Sequence, residues 1–266
     1  MAQQLSTVAR GASVRLVPLA VALLVLTLGG LTSWFGTQGT AYVSPFHSYL
    51  AASSGPVGLT LPLALALVAG WHLRSCLTDG FLEATRTRAP VTVTLRRLCW
   101  PWAVVAGLAA ALLPVVYGLV TLELLPSTGF QYYPDAYHVA EQHVADWNAD
   151  AVAGGALTRR TPWAYVAAHS AWLGLWGLVL AAATQALLLL VRRHALAFFL
   201  PLAGVTVVSV VLALAKLETF TPTASQFPPT LDVFPLWHAV PSLALATGVT
   251  ALLWMCVLVR LPELPR

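Results

Sequence analysis

The sequence predicts an all-α integral membrane protein with six transmembrane helices and both termini in the cytoplasm. Three observations lead to this fold class. Hydrophobic residues make up 58% of the 266 residues and charged residues only 9%, whereas soluble domains carry roughly 25% charged residues. The apolar residues occur in long runs, and the few charges lie in the gaps between those runs. Gaps rich in arginine alternate with gaps that are neutral or acidic.

Six apolar runs are long enough to form membrane-spanning helices. Because a helix rises about 1.5 Å per residue, about 20 residues cross ~30 Å of hydrocarbon. We place the spans at residues 16–36, 57–73, 101–125, 163–191, 196–217 and 236–260. Together they form a single transmembrane domain over residues 1–266, in an architecture without a soluble domain.

The distribution of basic residues predicts the orientation of these spans. Cytoplasmic loops are rich in Lys and Arg because basic loops resist translocation. We expect a cytoplasmic segment over 74–99 and an extracellular loop over 126–162, with the first span retained rather than cleaved. Only Arg159, Arg160 and Lys216 fall on the outer side in this orientation. The inner side holds the other basic residues: Arg10, Arg15, Arg74, Arg86, Arg88, Arg96, Arg97, Arg192, Arg193, Arg260 and Arg266.

The two larger outer loops have different predicted structures. In the loop 126–162, Asp135 follows Pro134 and is suited to cap a helix that lies on the outer leaflet and ends at Gly154-Gly155. The loop before the sixth span contains Pro222, Pro228, Pro229 and Pro235. These prolines prevent a continuous helix and predict short broken pieces packed against protein. At the inner face, Arg192-Arg193-His194 leaves room only for a tight turn between spans four and five.

The three cysteines, Cys76, Cys99 and Cys256, all fall near the predicted inner face. The cytoplasm is a reducing compartment, so we expect free thiols. Their spacing lacks the paired motifs of a zinc or redox site.

The seven histidines suggest two possible ligand sites. His138, Glu141, His143 and Asp146 have spacings that could surround a divalent cation, although a solvated helix face explains them equally simply and is the interpretation that we favour. His72, His169, His194 and His238 lie near span ends and could ligate haem from facing helices. We favour interfacial histidines over haem ligands at these four positions.

Polar residues within the spans are few and predict structural roles. Glu123, Lys216 and Glu218 sit at the outer ends of spans, where Lys216 could pair with either carboxylate. The absence of a mid-membrane carboxylate argues against a proton-coupled pump. Thr184 and Gln185 are the most deeply placed polar pair, and we expect interhelical hydrogen bonds there.

Small residues recur at helical spacing in two spans. Ala103, Gly107 and Ala111 share one face of span three, and Gly174 and Gly177 lie in span four. Small residues allow helix backbones to approach closely. They therefore predict a tight helix contact, either inside the bundle or at a dimer interface.

Catalytic motifs are missing from the chain. Ser170 follows His169, and Ser242 lies near His238, but neither serine has the sequence of a nucleophile elbow. There is no phosphate-binding loop motif, and the chain has a single lysine. We therefore expect a protein that is not itself an enzyme, and any ATP hydrolysis would occur in another subunit.

The basic segment between spans two and three resembles a family-specific element. It contains Asp79-Gly80 and Glu83, then Pro90-Val91-Thr92, then Arg96-Arg97 at the entry to span three. This order, with six spans and a broken outer segment before the last, resembles the permease subunits of ABC-2 type transporters. In that family an amphipathic coupling helix occupies this position. The amphipathic helix that usually precedes span one in the family is reduced here to about fifteen residues.

The resemblance implies a function and a set of partners. The chain would be the permease subunit of an ATP-driven exporter, paired with a second permease subunit, identical or different, and with cytoplasmic ATPase subunits that bind ATP and Mg²⁺. It would need no cofactor of its own and no nucleic acid, and the few charges in its spans favour an apolar or amphipathic substrate. The composition, poor in Lys and rich in Ala, Arg, Leu and Val, fits a GC-rich bacterium and hence its plasma membrane. The residues that would contact the ATPase are Asp79, Phe81, Leu82, Glu83, Arg86 and Arg88.

Two other classes of function remain open from the sequence. One is a membrane-embedded redox or haem subunit that uses the span-end histidines. The other is an accessory membrane subunit without a transport path. A simpler explanation of the arginine-rich segment is a solvated basic loop that only sets the topology.

Overall fold

The computed structural model describes residues 41–54, 57–78, 90–226 and 235–260, with backbone only for 57–59. Within these ranges all regular structure is helical. Short single turns at Pro134–Tyr137, Glu141–His143, Gly155–Arg159, Glu218–Phe220 and Leu236–Ala239 connect the longer elements. The α-helices of five or more residues are α1 (Pro45–Ser53), α2 (Val57–Thr78), α3 (Val91–Gly118), α4 (Val144–Asp150), α5 (Pro162–Leu190), α6 (His194–Leu214), α7 (Pro222–Gln226) and α8 (Val240–Arg260). The π-helix Leu119–Leu124 and the short α-helical turn Leu125–Ser127 continue α3.

Five of the described helical segments are long and apolar enough to cross a membrane. They are Thr60–Thr78, Val91–Ser127, Pro162–Leu190, His194–Leu214 and Leu236–Arg260. The chain is therefore a multi-pass helical membrane protein. The predicted first span, 16–36, and both termini lie outside the described residues.

Helices α2 and α3 extend into the predicted cytoplasmic segment from both sides. α2 continues to Thr78, five residues past the expected end of span two, and α3 begins at Val91 rather than at residue 101. At that start, the Pro90 carbonyl accepts hydrogen bonds from the amides of Val93 and Thr94. Arg96 and Arg97 therefore lie within helix α3. Their long side chains can still reach the membrane surface from this end of the helix.

Helix α5 is the centre of the bundle, and it packs on α3 through small residues. A Cβ on Gly177 would lie 2.7 Å from the Ala110 Cβ and 3.0 Å from the Gly107 Cα. A Cβ on Gly174 would lie 3.2 Å from the Ala111 Cβ. The predicted close contact between these helices is therefore confirmed, and it lies inside the bundle.

A buried amide joins three helices near their inner ends. Gln185 of α5, 1% exposed, donates from Nε2 to the Ala69 carbonyl of α2 at 3.2 Å and to the Cys99 carbonyl of α3 at 2.8 Å. Thr184 instead bonds the Leu180 carbonyl of its own helix. The interhelical role predicted for this polar pair is confirmed for Gln185 alone.

The inner connection between α5 and α6 is a tight hairpin, as expected. α5 ends at Leu190 and α6 begins at His194, which leaves only three residues for the turn. Beyond this turn, α5 and α6 both pack closely on α2, because Gly70 of α2 faces Leu188 of α5 and Phe198 of α6. No disulfide joins the three cysteines, and Cys99 is buried.

The outer loop 126–162 folds differently from the prediction. The expected helix from Asp135 to Gly154 is wrong, because Pro134–Tyr137 is a single turn that ends at His138 with a left-handed φ of 56°. α4 is the only α-helical part between 135 and 154. The break lets Tyr137 and Trp147 both pack on the ring of His47, at centroid distances of 5.4 and 5.1 Å.

This loop and α1 together form an outer cap on the bundle. Ser44 donates to the Asn148 Oδ1 at 2.7 Å, and the Tyr133 amide donates to the Tyr42 carbonyl at 2.7 Å. The Tyr137 hydroxyl donates to the Ala41 carbonyl at 2.9 Å. These bonds tie two distant parts of the chain together over the outer ends of the spans.

The segment before α8 is broken, as its prolines predict. It contains the turn Glu218–Phe220, the short helix α7 and the turn Leu236–Ala239, with residues 227–234 outside the described ranges. Ser225 donates to the Ala239 carbonyl and Ser242 donates to the Phe220 carbonyl. These bonds fasten the broken pieces to the start of α8.

Helices α6 and α8 lie at the periphery of the described bundle. The buried share of the most apolar stretch differs between the segments. It is only 22% in the α6 segment and 17% in the α8 segment, compared with 56% in α5. Their outward faces carry large apolar side chains such as Val207, Leu214, Leu252 and Val259. These faces are suited to lipid or to another membrane helix.

Candidate functional site

A cavity of about 250 Å³ lies at the outer end of the bundle, between α5, the cap and the beginning of α8. It is built from the spacing of α5, because Tyr165, His169 and Trp172 recur every three or four residues and so share one face. The opposite wall is Leu236–Val240, and the cap contributes the rest. The cap residues are Ala153, Gly154 and Leu157.

His169 is held rigidly in the wall of this cavity. Its ring is 3% exposed, and its Nδ1 lies 2.7 Å from the Tyr49 hydroxyl of α1. The backbone of Gln226 also lies near the His169 ring. The histidine therefore links α1, α5 and α7.

Tyr49 lies under the cap, in an aromatic cluster with Phe46, Tyr165 and His169. Burial raises the pKa of the Tyr49 hydroxyl well above its ordinary range, and the nearby Tyr165 raises it further. The hydroxyl is therefore neutral at every physiological pH. It can donate to the His169 Nδ1 or accept from it, depending on the tautomer of the imidazole.

Several buried polar groups have no hydrogen-bond partner within the described residues, and one of them, the Tyr165 hydroxyl, belongs to a residue that lines the cavity. The others are the Ser170 hydroxyl of α5 and both side-chain atoms of the Gln226 amide in α7. Tyr165 is 4% exposed and Gln226 is fully buried. A buried polar group without a partner costs about 1–3 kcal/mol, so water or a ligand that reached the Tyr165 hydroxyl would be stabilised there.

The cavity wall itself is uncharged. None of its residues carries a formal charge, with His169 as the only titratable group besides Tyr165. Trp172 has its indole N–H satisfied by the Ser225 carbonyl at 2.6 Å. The nearest described ion pairs, Arg159 with Asp146 and Asp150 at 4.0 and 3.9 Å, are exposed on the cap and contribute little.

The predicted metal ligands of the outer loop do not converge. No group of three or more His, Cys, Asp or Glu that could hold a metal occurs in the described part of the chain. The break at His138 separates them, and all four are exposed: His138, Glu141, His143 and Asp146. Their exposure fits the solvated face that we favoured, although the four residues do not share one helix.

The span-end histidines are packed against aromatic rings. At the inner end, His72 lies 5.5 Å from Trp102 between centroids, and His194 begins α6. At the outer end, His238 stacks on Phe220 at 4.8 Å and meets Trp237 at 4.1 Å. His169 belongs to the cavity wall described above.

The ion pairs predicted for Lys216 are wrong. Glu123 accepts a hydrogen bond from the Trp163 indole at 2.9 Å instead, and neither Glu123 nor Glu218 forms a salt bridge within the described ranges. Lys216 has a left-handed φ of 60° because it ends helix α6. Its amide donates to the Ala213 carbonyl, and the Leu217 amide donates to the Leu212 carbonyl.

The residues predicted to contact an ATPase lie outside the described ranges. Asp79, Phe81, Leu82, Glu83, Arg86 and Arg88 all fall in 79–89. The two described residues that border this segment are Thr78 at the end of α2 and Pro90 before α3. The role of the six residues stays a prediction.

Sequence reasoning missed the outer cavity. The signal was the recurrence of Tyr165, His169, Trp172 and Trp176 at positions i, i+4, i+7 and i+11 of one span. That spacing places four aromatic or imidazole rings on one face of a helix. No local sequence feature predicts that Leu236 and Trp237 line the cavity, because their positions depend on how the broken segment before α8 packs.

Comparison with known proteins gives no relatives for this chain. No protein-family model, curated protein or solved structure matches it.

Proposed function

We propose that the chain is the membrane-spanning permease subunit of an ATP-driven exporter of the ABC-2 type, in a bacterial plasma membrane. It moves an apolar or amphipathic molecule outward, and ATP is hydrolysed in a separate cytoplasmic subunit. A second permease subunit, identical or different, completes the membrane part. The proposal rests on the motif in 73–98 and on the way in which α2 and α3 are joined to α5.

The single observation that carries the proposal is the hydrogen bonding of Gln185. The segment 79–89 connects α2 to α3, and Gln185 holds both helices to α5 through the Ala69 and Cys99 carbonyls. A force applied to that segment by a partner therefore acts on three helices at once. Helix-in-groove docking at such a segment transmits a rigid-body movement without any catalytic residue in the permease.

Helix α5 extends this connection to the outer cavity. From Gln185 to His169 the helix covers 16 residues, or about 24 Å at about 1.5 Å per residue. The close packing of Gly174 and Gly177 on α3 stiffens the intervening part. The inner segment and the outer cavity are thus the two ends of one packed unit.

The charge distribution supports the orientation that this function needs. The six described basic residues at the Gln185 end are Arg74, Arg96, Arg97, Arg192, Arg193 and Arg260, and no described carboxylate lies there. The described carboxylates are at the cavity end: Glu123, Asp135, Glu141, Asp146, Asp150 and Glu218. By the positive-inside rule the Gln185 end is cytoplasmic.

The first test is the isolation of the tagged chain from its native host in mild detergent, with mass spectrometry of the bound proteins. We expect a stoichiometric partner that carries a phosphate-binding loop. Isolation with haem, with redox subunits or without any partner would contradict the proposal.

The second test measures coupling in vesicles that contain the isolated complex. Replacing Phe81 and Glu83 by alanine is expected to lower substrate-stimulated ATP hydrolysis at least tenfold and to leave membrane insertion unchanged. The control is Thr78→Ala, an exposed change at the border of the segment, which should leave coupling intact. Full coupling in the Phe81 and Glu83 variant would count against the assignment.

A further inference from the structure

We propose that the outer cavity is a binding site for an uncharged amphiphile, a molecule with a short hydrocarbon part and one hydroxyl or carbonyl group, that enters from the outer leaflet. The site goes beyond the transport proposal, because it is complete within this chain and does not depend on an ATPase partner.

The shape and size of the cavity limit the ligand. One water molecule occupies about 30 Å³ in the liquid. If a non-hydrogen atom of a ligand takes about the same volume, the cavity of about 250 Å³ holds about eight such atoms. Its walls are mainly apolar, with Trp172, Leu236 and Val240 among them. This accommodates a hydrocarbon chain of medium length or the end of a longer one.

The composition of the cavity wall disfavours anionic ligands. No lining residue carries a formal charge, and the His169 Nδ1 already lies at hydrogen-bond distance from the Tyr49 hydroxyl. An unpaired charge in such surroundings is far more costly than an unpaired neutral group. A carboxylate head would therefore be rejected.

One buried hydroxyl indicates that the ligand has a neutral polar group. Tyr165 is 4% exposed, and its hydroxyl has no partner within the described residues. Its Cε2, next to the carbon that bears the hydroxyl, lies 4.0 Å from the position of a Cβ on Gly154, another lining residue. The hydroxyl end of Tyr165 is thus at the cavity, where a ligand hydroxyl or carbonyl would satisfy it.

The entrance indicates the route of the ligand. Trp237 and Leu236 are 58% and 49% exposed, although they line the cavity at the outer end of α8. Tryptophan favours the level of the lipid headgroups. An amphiphile in the outer leaflet therefore meets the entrance directly.

The experiment is photolabelling of the purified full chain in nanodiscs with a diazirine derivative of 1-octanol. Peptide mapping should place the label within 165–172 and 236–240. Unlabelled 1-octanol and monooctanoylglycerol should both compete, and octanoate should not. Equal competition by octanoate, or label spread evenly along α6 and α8, would overturn the proposal.

Two variants and a matched control sharpen this test. Ala168→Trp fills the cavity from an exposed lining position and should reduce labelling at least tenfold. Ala167→Trp, at the adjacent exposed position outside the lining, should leave labelling unchanged. Equal labelling of the two variants would contradict the site.

Tyr165→Phe tests the polar contact without filling the cavity. It should weaken competition by 1-octanol about threefold to tenfold, the effect of losing one neutral hydrogen bond, and leave labelling by a diazirine alkane unchanged. Unaltered competition by 1-octanol would remove the role of the hydroxyl. A monodisperse elution profile and an unchanged melting temperature establish that each variant is folded.

Discussion

The two halves of α5 differ in how well their polar groups are satisfied. In the inner half, Gln185 is buried and donates two interhelical hydrogen bonds. Beside the outer half, Gln226 is equally buried but its amide has no partner within the described residues. The same residue type thus stabilises the bundle at one end and has no partner among the described residues at the other. A buried polar group in this condition is unusual in a folded protein.

The largest expected effect comes from breaking the tightly packed half. Gly177→Leu places a side chain where a Cβ alone would lie 2.7 Å from the Ala110 Cβ and 3.0 Å from the Gly107 Cα. Because backbone atoms cannot move aside, we expect a loss of about 3 kcal/mol or more in the free energy of unfolding. Chemical unfolding in detergent micelles measures it.

Gly204→Leu is the control for that substitution. Gly204 lies in α6 and has nothing within 4 Å of its Cβ position. The same change there should alter the free energy of unfolding by less than about 1 kcal/mol. Equal destabilisation by both variants would mean that the close contact at Gly177 does not determine the effect, since leucine is the better helix former at either position.

A pair of glutamine substitutions tests the comparison directly. Gln185→Leu should lower the free energy of unfolding by about 1–2 kcal/mol, because two interhelical bonds are lost. Gln226→Leu should leave it unchanged or raise it by about 1 kcal/mol, because the buried amide that is removed has no hydrogen-bond partner within the described residues. Thermal unfolding of both variants measures the difference, and a larger loss at Gln226 would reverse the comparison.

The smallest effect concerns the pH dependence of the cap. Burial lowers the pKa of His47 below its ordinary value of 6.5, so the folded cap favours the neutral ring. The unfolded cap binds the proton more readily, and the stabilisation present above pH 6.5 is lost as the pH falls below it. Trp147 fluorescence, which senses contact with His47, should therefore change reversibly below pH 6.5.

His47→Gln is the control for the cap, since it removes the titrating ring. Its fluorescence should be independent of pH in the same range. A pH response that persists in this variant would assign the titration to another group.

Three features of the inner half were predictable from the sequence, whereas the cap and the cavity of the outer half were not. Gly107, Gly174 and Gly177 indicated a close helix contact, and Gln185 indicated an interhelical bond, because both features depend on helical spacing alone. The hairpin at Arg192-Arg193 followed from its length. Each of these properties is local.

The outer half depends on contacts between distant parts of the chain. No sequence feature near His138 predicts the break in the helix there. The break is stabilised by distant contacts, because Tyr137 packs on His47 and donates a hydrogen bond to the Ala41 carbonyl. The cavity likewise needs Leu236 to meet Gly154. The coupling role of 79–89 and the ATPase partner stay predictions, because those residues lie outside the described ranges.

The close contact between α3 and α5 also restricts how the protein can change shape. Two helices whose backbones touch through glycine cannot slide past each other without a clash, so α3 and α5 move as one body. α8 is the least buried of the spanning segments, and its beginning forms one wall of the cavity. Any widening of the cavity would therefore require displacement of the start of α8, which carries Leu236 and Trp237, rather than sliding of α5 on α3.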